Sequence, residues 1–157
     1  MEKYGKIFKK HINNQYEFQL RSYDPDNEKY FEVISKARDD GFSQVIINSK
    51  IMSEILFAVL NSKGFLLKIN MTDNTDQEVI DNLKSIIAKL KHNPLLFVKL
   101  KEQLEVITES GSIDISSIEI FIKEKKYEVK SNGIIIGLEL ESFFDEIIKT
   151  ELEVYFS

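Results

Sequence analysis

Three residues in the last third of the chain have the order and rough spacing of a metal-dependent nuclease site. Asp114 is followed by Glu128 and Lys130, and a carboxylate with a Glu-x-Lys pair can hold a divalent ion and activate water. The alternation of residue types, however, puts Tyr127 and Val129 on the buried side of a strand. Glu128 and Lys130 would then face solvent, so a metal-dependent hydrolase is the least favoured hypothesis.

Other residues with catalytic chemistry are scarce. The chain has no cysteine and only two histidines, His11 and His92. This excludes thiolate nucleophiles, disulfides and Cys-ligated metal centres, and it disfavours a multi-His site. No glycine-rich phosphate loop, Gly-x-Ser-x-Gly or His-Glu-x-x-His motif occurs. We therefore expect a protein that is not an enzyme and that needs no metal ion or cofactor.

Acidic residues are concentrated at the C-terminal end. The net charge is −5 and the pI is about 5.2, and residues 139–157 carry five Glu, one Asp and one Lys. Such a surface suits a partner protein with a basic surface. Phe121 lies on the polar side of its predicted strand, where an exposed aromatic side chain would resemble an interface anchor. The candidate partner-binding residues are Phe121, Glu139, Glu141, Asp145, Glu146, Glu151 and Glu153.

The N-terminal end has the opposite charge. Residues 1–12 carry four Lys and one Glu, and their apolar residues have helical spacing, which predicts a basic amphipathic helix over 2–12. The alternative function is therefore a nucleic-acid or phosphate-ligand module that uses this helix. Its candidate contacts are Lys3, Lys6, Lys9 and Lys10. The acidic net charge disfavours nucleic acid as the partner.

Periodicity predicts alternating helices and strands in the first half of the chain. After the basic helix, the predicted elements are a strand over 16–21, a helix from Asp24-Pro25 to Gly41, a strand over 42–48, a helix from Ser49 to Gly64 and a strand over 65–70. Two strands joined by a helix-length crossover predict a parallel βαβ unit.

The second half begins with helices and continues with strands. Thr75 and Glu78 form a capping box before a long amphipathic helix that ends at Asn93-Pro94. A weaker pattern predicts a second helix through Leu104, although residues 95–100 also suit a strand. Strands are predicted over 118–123, 127–130 and 134–136, with a type I′ turn at Asn132-Gly133. A short helix over 142–149 and a final strand over 152–156 complete the chain.

These elements predict an α+β fold in a single globular domain over 1–157, with 1–12 as a peripheral helix. The sheet is expected to be mixed, with the βαβ unit in the first half and a β-meander in the last third. Apolar runs are too short for a membrane span, so we expect a cytoplasmic protein. Self-association through the first helix or the last strand stays open.

The favoured hypothesis is a small, acidic, non-enzymatic protein that binds and inhibits another protein. The excess of Ile and Lys and the two Arg residues are typical of an AT-rich genome. An immunity protein that neutralises a toxin and a phage-encoded inhibitor of a host defence both fit such a chain.

Overall fold

The computed structural model describes residues 2–72, 77–90, 92–93, 95–110 and 114–157. Within them, seven strands form one sheet in the order β2-β1-β7-β6-β5-β4, with β3 paired to β1. All of their pairings are antiparallel. The strands are β1 (Lys3–Ile12), β2 (Gln15–Tyr23), β3 (Ser43–Gln44), β4 (Phe65–Thr72), β5 (Asp114–Ile122), β6 (Lys125–Lys130) and β7 (Ile134–Gly137).

Helices account for most of the remaining described residues, so the predicted α+β class is confirmed. They are α1 (Tyr30–Asp39), α2 (Ser49–Asn61), α3 (Gln77–Leu90), α4 (Leu96–Ser110), α5 (Leu140–Phe143), a π-helical turn (Phe144–Ile148) and α6 (Lys149–Tyr155). The last three are continuous, and we call them together the C-terminal helix. Among the described residues, no helix has the length and apolar character required to cross a membrane.

Burial of apolar side chains on both faces of β1 organises the core. Side chains of adjacent strand residues point to opposite faces. Ile7 joins the main core with α2, α3, α4 and the C-terminal helix. Phe8 joins a smaller cluster with Val33, Ile34 and Ala37 of α1. Both Ile7 and Phe8 are fully buried, so helices cover this strand on its two sides.

The predicted N-terminal helix over 2–12 is wrong, because these residues form β1. A strand buried on both faces lacks the alternation of apolar and polar residues that identifies a half-buried strand. The missed signal is Asn13-Asn14, where both residues have positive φ, 51° and 64°. Such a pair forms a type I′ turn, which joins two antiparallel strands directly.

The predicted parallel βαβ unit is also wrong. Of the strand predicted over 42–48, only β3 forms, and it pairs with β1. The second predicted strand, β4, pairs with β5 at the far end of the sheet. After β3 the chain stays extended, with the amide of Val45 donating to Ile7 O and that of Ile47 to Ser131 O. Helix α2 then connects opposite ends of the sheet rather than neighbouring parallel strands.

The predicted final strand is helical. Leu152, Val154 and Phe156 alternate in sequence, but Leu152 is fully buried and Val154 is 67% exposed. The buried stripe instead repeats every four residues from Leu140 through Phe144 and Ile148 to Leu152. A spacing of four residues drifts around an α-helix of 3.6 residues per turn, and the wider π-helical turn corrects that drift.

The Asn132-Gly133 hairpin forms, but not with the predicted turn type. Only Gly133 has a positive φ, 82°, and its amide donates to Lys130 O at 3.0 Å. This is a turn with a left-handed glycine after it, a common three-residue hairpin loop. The capping box at Thr75 and the helix boundary at Pro94 fall outside the described residues.

Replacing Gly133 with alanine should destabilise the fold strongly. A Cβ atom there would overlap the carbonyl oxygen of Val45, in addition to requiring a positive φ. We expect the free energy of unfolding to fall by about 3 kcal/mol. Gly41→Ala is the matched control, since Gly41 has φ 88° but meets only the flexible Lys10 side chain at 3.1 Å. It should cost about 1 kcal/mol, and equal losses in urea denaturation would contradict this account.

Candidate protein-binding surface

An open groove of about 1060 Å³ lies where the beginning of β1, the end of β2 and the beginning of the C-terminal helix meet. We call it the acidic groove. Its lining residues are Glu2, Lys3, Tyr4, Gly5, Leu20, Ser22, Tyr23, Asp24, Pro25, Asp26, Asn27, Leu138, Glu139, Leu140, Glu141 and Ser142. Three segments that are distant in the sequence therefore contribute to one concave surface.

Strand register brings these segments together. Tyr4 pairs with Tyr23 across the β1–β2 ladder, and Lys3 pairs with Gly137 across the β1–β7 ladder. The chain after β2 and the chain after β7 consequently leave the sheet on either side of the same end of β1. This places Asp24 and Glu139 at one groove although they are more than a hundred residues apart.

The groove floor requires a residue without a side chain at position 5. A Cβ atom on Gly5 would lie 2.7 Å from Leu20 Cδ1 and 3.3 Å from Leu140 Cδ1. Because Gly5 leaves this space, Leu140 packs closely over β1. The C-terminal helix therefore begins directly beside the strand.

A stacked aromatic pair holds the start of the C-terminal helix in place. The rings of Tyr127 and Phe143 are 4.3 Å apart and nearly parallel, and the Tyr127 hydroxyl donates to Glu139 O at 3.3 Å. Burial of the phenol raises the pKa of Tyr127, so the hydroxyl keeps its proton at neutral pH. This anchoring fixes Glu139 and Glu141 relative to the sheet.

The opposite wall is a rigid turn after β2. The carboxylate of Asp24 accepts from Asn27 Nδ2 at 2.7 Å and from the backbone amide of Asp26 at 3.0 Å. These hydrogen bonds, led by the one from Asn27, lower the pKa of Asp24, because they stabilise the ionised form. The sequence signal at Asp24-Pro25 thus marks a turn, and α1 begins only at Tyr30.

Negative charge dominates the groove. Five carboxylates line it, and Lys3 is the only cationic side chain among the lining residues. Glu139 is paired with Lys125 at 2.9 Å. The charge of Glu2 acts on Lys126, whose main partner is Glu119.

The remaining acids of the groove are uncompensated. Asp24, Asp26 and Glu141 make no ion pair with any described residue. A cationic ligand would therefore find carboxylates that are not already neutralised.

Aromatic and apolar surface accompanies this charge. Tyr4 and Tyr23 meet edge to face with their ring centroids 6.5 Å apart, and both are only partly buried. Leu138 is 47% exposed at the rim. The groove therefore combines carboxylates with aromatic rings and aliphatic surface, the combination that contacts the charged head and the apolar stem of Lys or Arg.

The acidic residues predicted to bind a partner do not all lie on one surface. Glu139 and Glu141 line the acidic groove. Asp145 and Glu146 are exposed on the following turns, where Glu146 forms an ion pair with Lys123. Glu153 is exposed on α6. Only two of these acids therefore belong to the groove.

Two further predicted residues lie in different surroundings. Partial burial, together with the charge of Glu54, raises the pKa of Glu151.

Phe121 is half-buried on the sheet face opposite to the buried Ile122, where it pairs with Phe65. Phe65 is 42% exposed. Phe121 is therefore not part of the groove.

Most of the groove was not identified from sequence. Glu2, Tyr4, Tyr23, Asp26 and Leu138 were missed because their proximity depends on long-range strand register. Asp24-Pro25 was predicted as the start of a helix, and a local pattern does not specify which distant segment faces it.

The four lysines proposed as nucleic-acid contacts do not share one face, because the predicted helix that grouped them is a strand. Lys9 lies 4.4 Å from the ring centroid of Phe156. Lys10, on the opposite face of β1, donates to Asp40 O at 3.1 Å. Lys3 lines the acidic groove.

Lys6 is enclosed beneath α1. Its side chain is 1% exposed, and its ammonium donates to Asn132 O and lies 5.5 Å from the ring centroid of Tyr30. Lys6 therefore cannot contact a ligand from the surface. No described carboxylate pairs with this ammonium, and burial lowers the pKa of Lys6 to about 8.

The residues of the nuclease hypothesis are not assembled into a metal site. Glu128 pairs with Glu119, five residues along β5 from Asp114, a separation of roughly 16 Å at 3.3 Å per residue. Ligands of one divalent ion must all lie within about 2.0–2.6 Å of it. Among the residues that the structure describes, no group of three potential His, Asp or Glu ligands is present.

Comparisons with protein-family models, with curated proteins and with solved structures found no match.

The buried Lys6 predicts an unusual rise of stability with pH. The unfolded chain has the ordinary lysine pKa of 10.5 and the folded chain a value of about 8. Between pH 8 and 10 the unfolded state therefore binds more protons. The free energy of unfolding should then increase by at most about 1.4 kcal/mol per pH unit. As the pH falls below 8 this contribution to the slope declines to zero, since Lys6 becomes protonated in the folded state as well.

Chemical denaturation at several pH values measures this slope. Lys6→Met should flatten the profile between pH 8 and 10, whereas Lys9→Met, which removes a half-exposed lysine of the same strand, should leave the slope in place. Identical slopes for the native protein and Lys6→Met would contradict the assignment.

Proposed function

We propose that this protein is a non-enzymatic binding protein whose acidic groove holds a basic segment of another protein. One observation carries the proposal: the groove brings five carboxylates and one ammonium together with two half-buried tyrosine rings and an exposed leucine side chain. Inhibition follows when the segment held is one that the partner needs for its own activity. An immunity protein and a phage-encoded inhibitor of a host defence are the two settings that fit.

Electrostatics supports a basic partner. The net charge of −5 attracts a cationic protein over a distance of about 8–10 Å at physiological salt. Within a concave site the attraction is stronger, because the low-dielectric walls focus the field of the carboxylates. Asp24 contributes in its ionised form down to low pH, since its hydrogen bonds lower its pKa. The acids of the groove therefore favour fast association and select against acidic partners.

The apolar part of the groove supports a polypeptide rather than a small inorganic cation. Tyr4 and Tyr23 line the groove, and an aromatic ring that meets a guanidinium or ammonium group there contributes about 0.5–2 kcal/mol. Leu138, exposed at the rim, can cover the methylene groups of a lysine or arginine stem. A metal ion would use none of these contacts.

A pair of charge reversals in the groove should weaken binding of a basic probe. The probe is a fluorescent peptide of alternating Arg and Thr, eight residues long, and the measurement is anisotropy at about 0.15 M salt. Asp26→Lys with Glu141→Lys should raise the Kd at least tenfold, because both carboxylates line the groove and lack an intramolecular cation.

The matched control reverses two exposed acids outside the groove, Glu32→Lys with Glu102→Lys. Glu32 and Glu141 both lie in the first turn of a helix, so the effect on the helix dipole is similar, and the change in net charge is identical. The control should raise the Kd by no more than about threefold, through the long-range field alone. Equal losses in the two variants would mean that the peptide responds only to net charge, and this result would contradict a specific groove.

A further inference from the structure

Strand β2 forms one end of the sheet and has a strand partner on one side only. It pairs with β1 along its whole length, from Tyr23 with Tyr4 to Gln15 with Ile12. In the described residues no other strand pairs with β2. Its outer edge therefore presents backbone donors and acceptors over nine residues, which is the template that an added strand requires.

This edge lacks three of the features that usually prevent strand addition, and its exposed charged residue is the acidic Glu17. Proteins protect sheet edges with proline, with outward lysines or with β-bulges. Strand β2 contains neither proline nor lysine, and its register with β1 has no irregularity. Its one cationic residue, Arg21, is engaged with Asp40 at 2.8 Å and with the ring of Phe42.

The other terminal strand is different. Strand β4 contains Lys68, and its pairing with β5 shifts register at two points, near Leu66–Lys68 and near Asn70–Met71. Lysines and bulges of this kind disfavour regular pairing with another chain. Of the two sheet edges, β2 is therefore the one suited to strand addition.

The β2 edge leads directly into the acidic groove. Leu20, Ser22 and Tyr23 of β2 line the groove, and Asp24 and Asp26 follow immediately after the strand. A segment that pairs with β2 would therefore carry its side chains past these carboxylates. Alternate side chains of a strand lie on one face, so beside residues 20–23 of β2 every second residue of the added segment would meet the charged surface.

We propose that an extended segment of the partner pairs with β2 as an additional strand and places alternate Lys or Arg side chains in the acidic groove. This inference rests on the proposed function, since the groove supplies the charge complementarity that selects the segment. A second copy of the chain is a poorer occupant, because its own β2 has a single cationic residue, Arg21, and supplies no alternating Lys or Arg side chains to the groove. Backbone pairing provides affinity and the alternating cations provide specificity.

Backbone methylation of the probe tests strand addition separately from charge. Two analogues of the alternating Arg-Thr peptide keep every charge, one methylated on the Arg nitrogens and the other on the Thr nitrogens. A strand at a sheet edge directs only alternate amides toward its neighbour. We therefore expect one analogue to lose at least tenfold in affinity, as the removal of two or more hydrogen bonds predicts, and the other to bind like the unmodified peptide.

The complementary measurement is amide hydrogen exchange of β2. Binding of the unmodified peptide should slow exchange at alternate residues between Tyr16 and Tyr23, and it should leave the edge of β4 unchanged. If both analogues bind as well as the unmodified peptide, the groove binds cations without strand pairing, and the inference is overturned while the proposed function stands.

Three other results would also overturn the inference. If both analogues lose affinity equally, the contact is not a single strand edge. If the amides of β2 are already protected from hydrogen exchange without peptide, and this protection disappears on dilution to monomer, a second copy of the chain occupies the edge. If neither the unmodified peptide nor its analogues bind, the proposed function fails together with strand addition.

Discussion

The centre of strand β1 is the constraint on which the remaining structure depends, because residues 5–8 are buried on both faces and paired on both edges. It pairs with β2 on one side and with β7 and β3 on the other, and it buries Ile7 and Phe8 on opposite faces. Such a strand tolerates little polar surface, yet it contains Lys6, whose ammonium is satisfied by a backbone carbonyl and an aromatic ring. Burial of this charge is costly without a paired carboxylate.

The acidic groove is a consequence of how β1 ends. Because Tyr4 pairs with Tyr23 and Lys3 with Gly137, the two chain segments that leave the sheet there are held side by side. Gly5 then lets the C-terminal helix pack closely against the strand. The carboxylates of the turn after β2 and of the helix start consequently share one concave surface, next to the outer edge of β2, which has no strand partner among the described residues. Charge, aromatic surface and free backbone groups are therefore available together for one extended ligand.

Sequence patterns predicted the parts of the fold whose burial is one-sided. Helix α3, which buries Leu83 and Ile86, has an apolar stripe, and β5 alternates between Ile118, Ile120 and less buried neighbours. The patterns failed where burial is not one-sided or where the period is unusual. Strand β1 is covered on both faces, and the stripe of the C-terminal helix follows a four-residue repeat that a π-helical turn accommodates.

The candidate site was predictable only in part. Glu139 and Glu141 belong to an acidic segment that is visible in composition, so charge alone identified them. Their apposition to Asp24 depends on ladder register across β1, which no local pattern contains. The prediction of Phe121 as a residue of the binding surface failed for a different reason. Alternation correctly placed Phe121 on the face of β5 opposite to the buried Ile122, but Phe121 does not line the acidic groove.

The most direct test of the central claim is paramagnetic relaxation enhancement by a basic peptide that carries a nitroxide label at one end. The alternating Arg-Thr peptide should broaden the amide resonances of Tyr4, Tyr23 and Leu138 and leave those of α4 unaffected. Broadening centred on Phe65 and Phe121, or spread evenly over all acidic surfaces at a saturating peptide concentration, would contradict the claim that the acidic groove is the binding site.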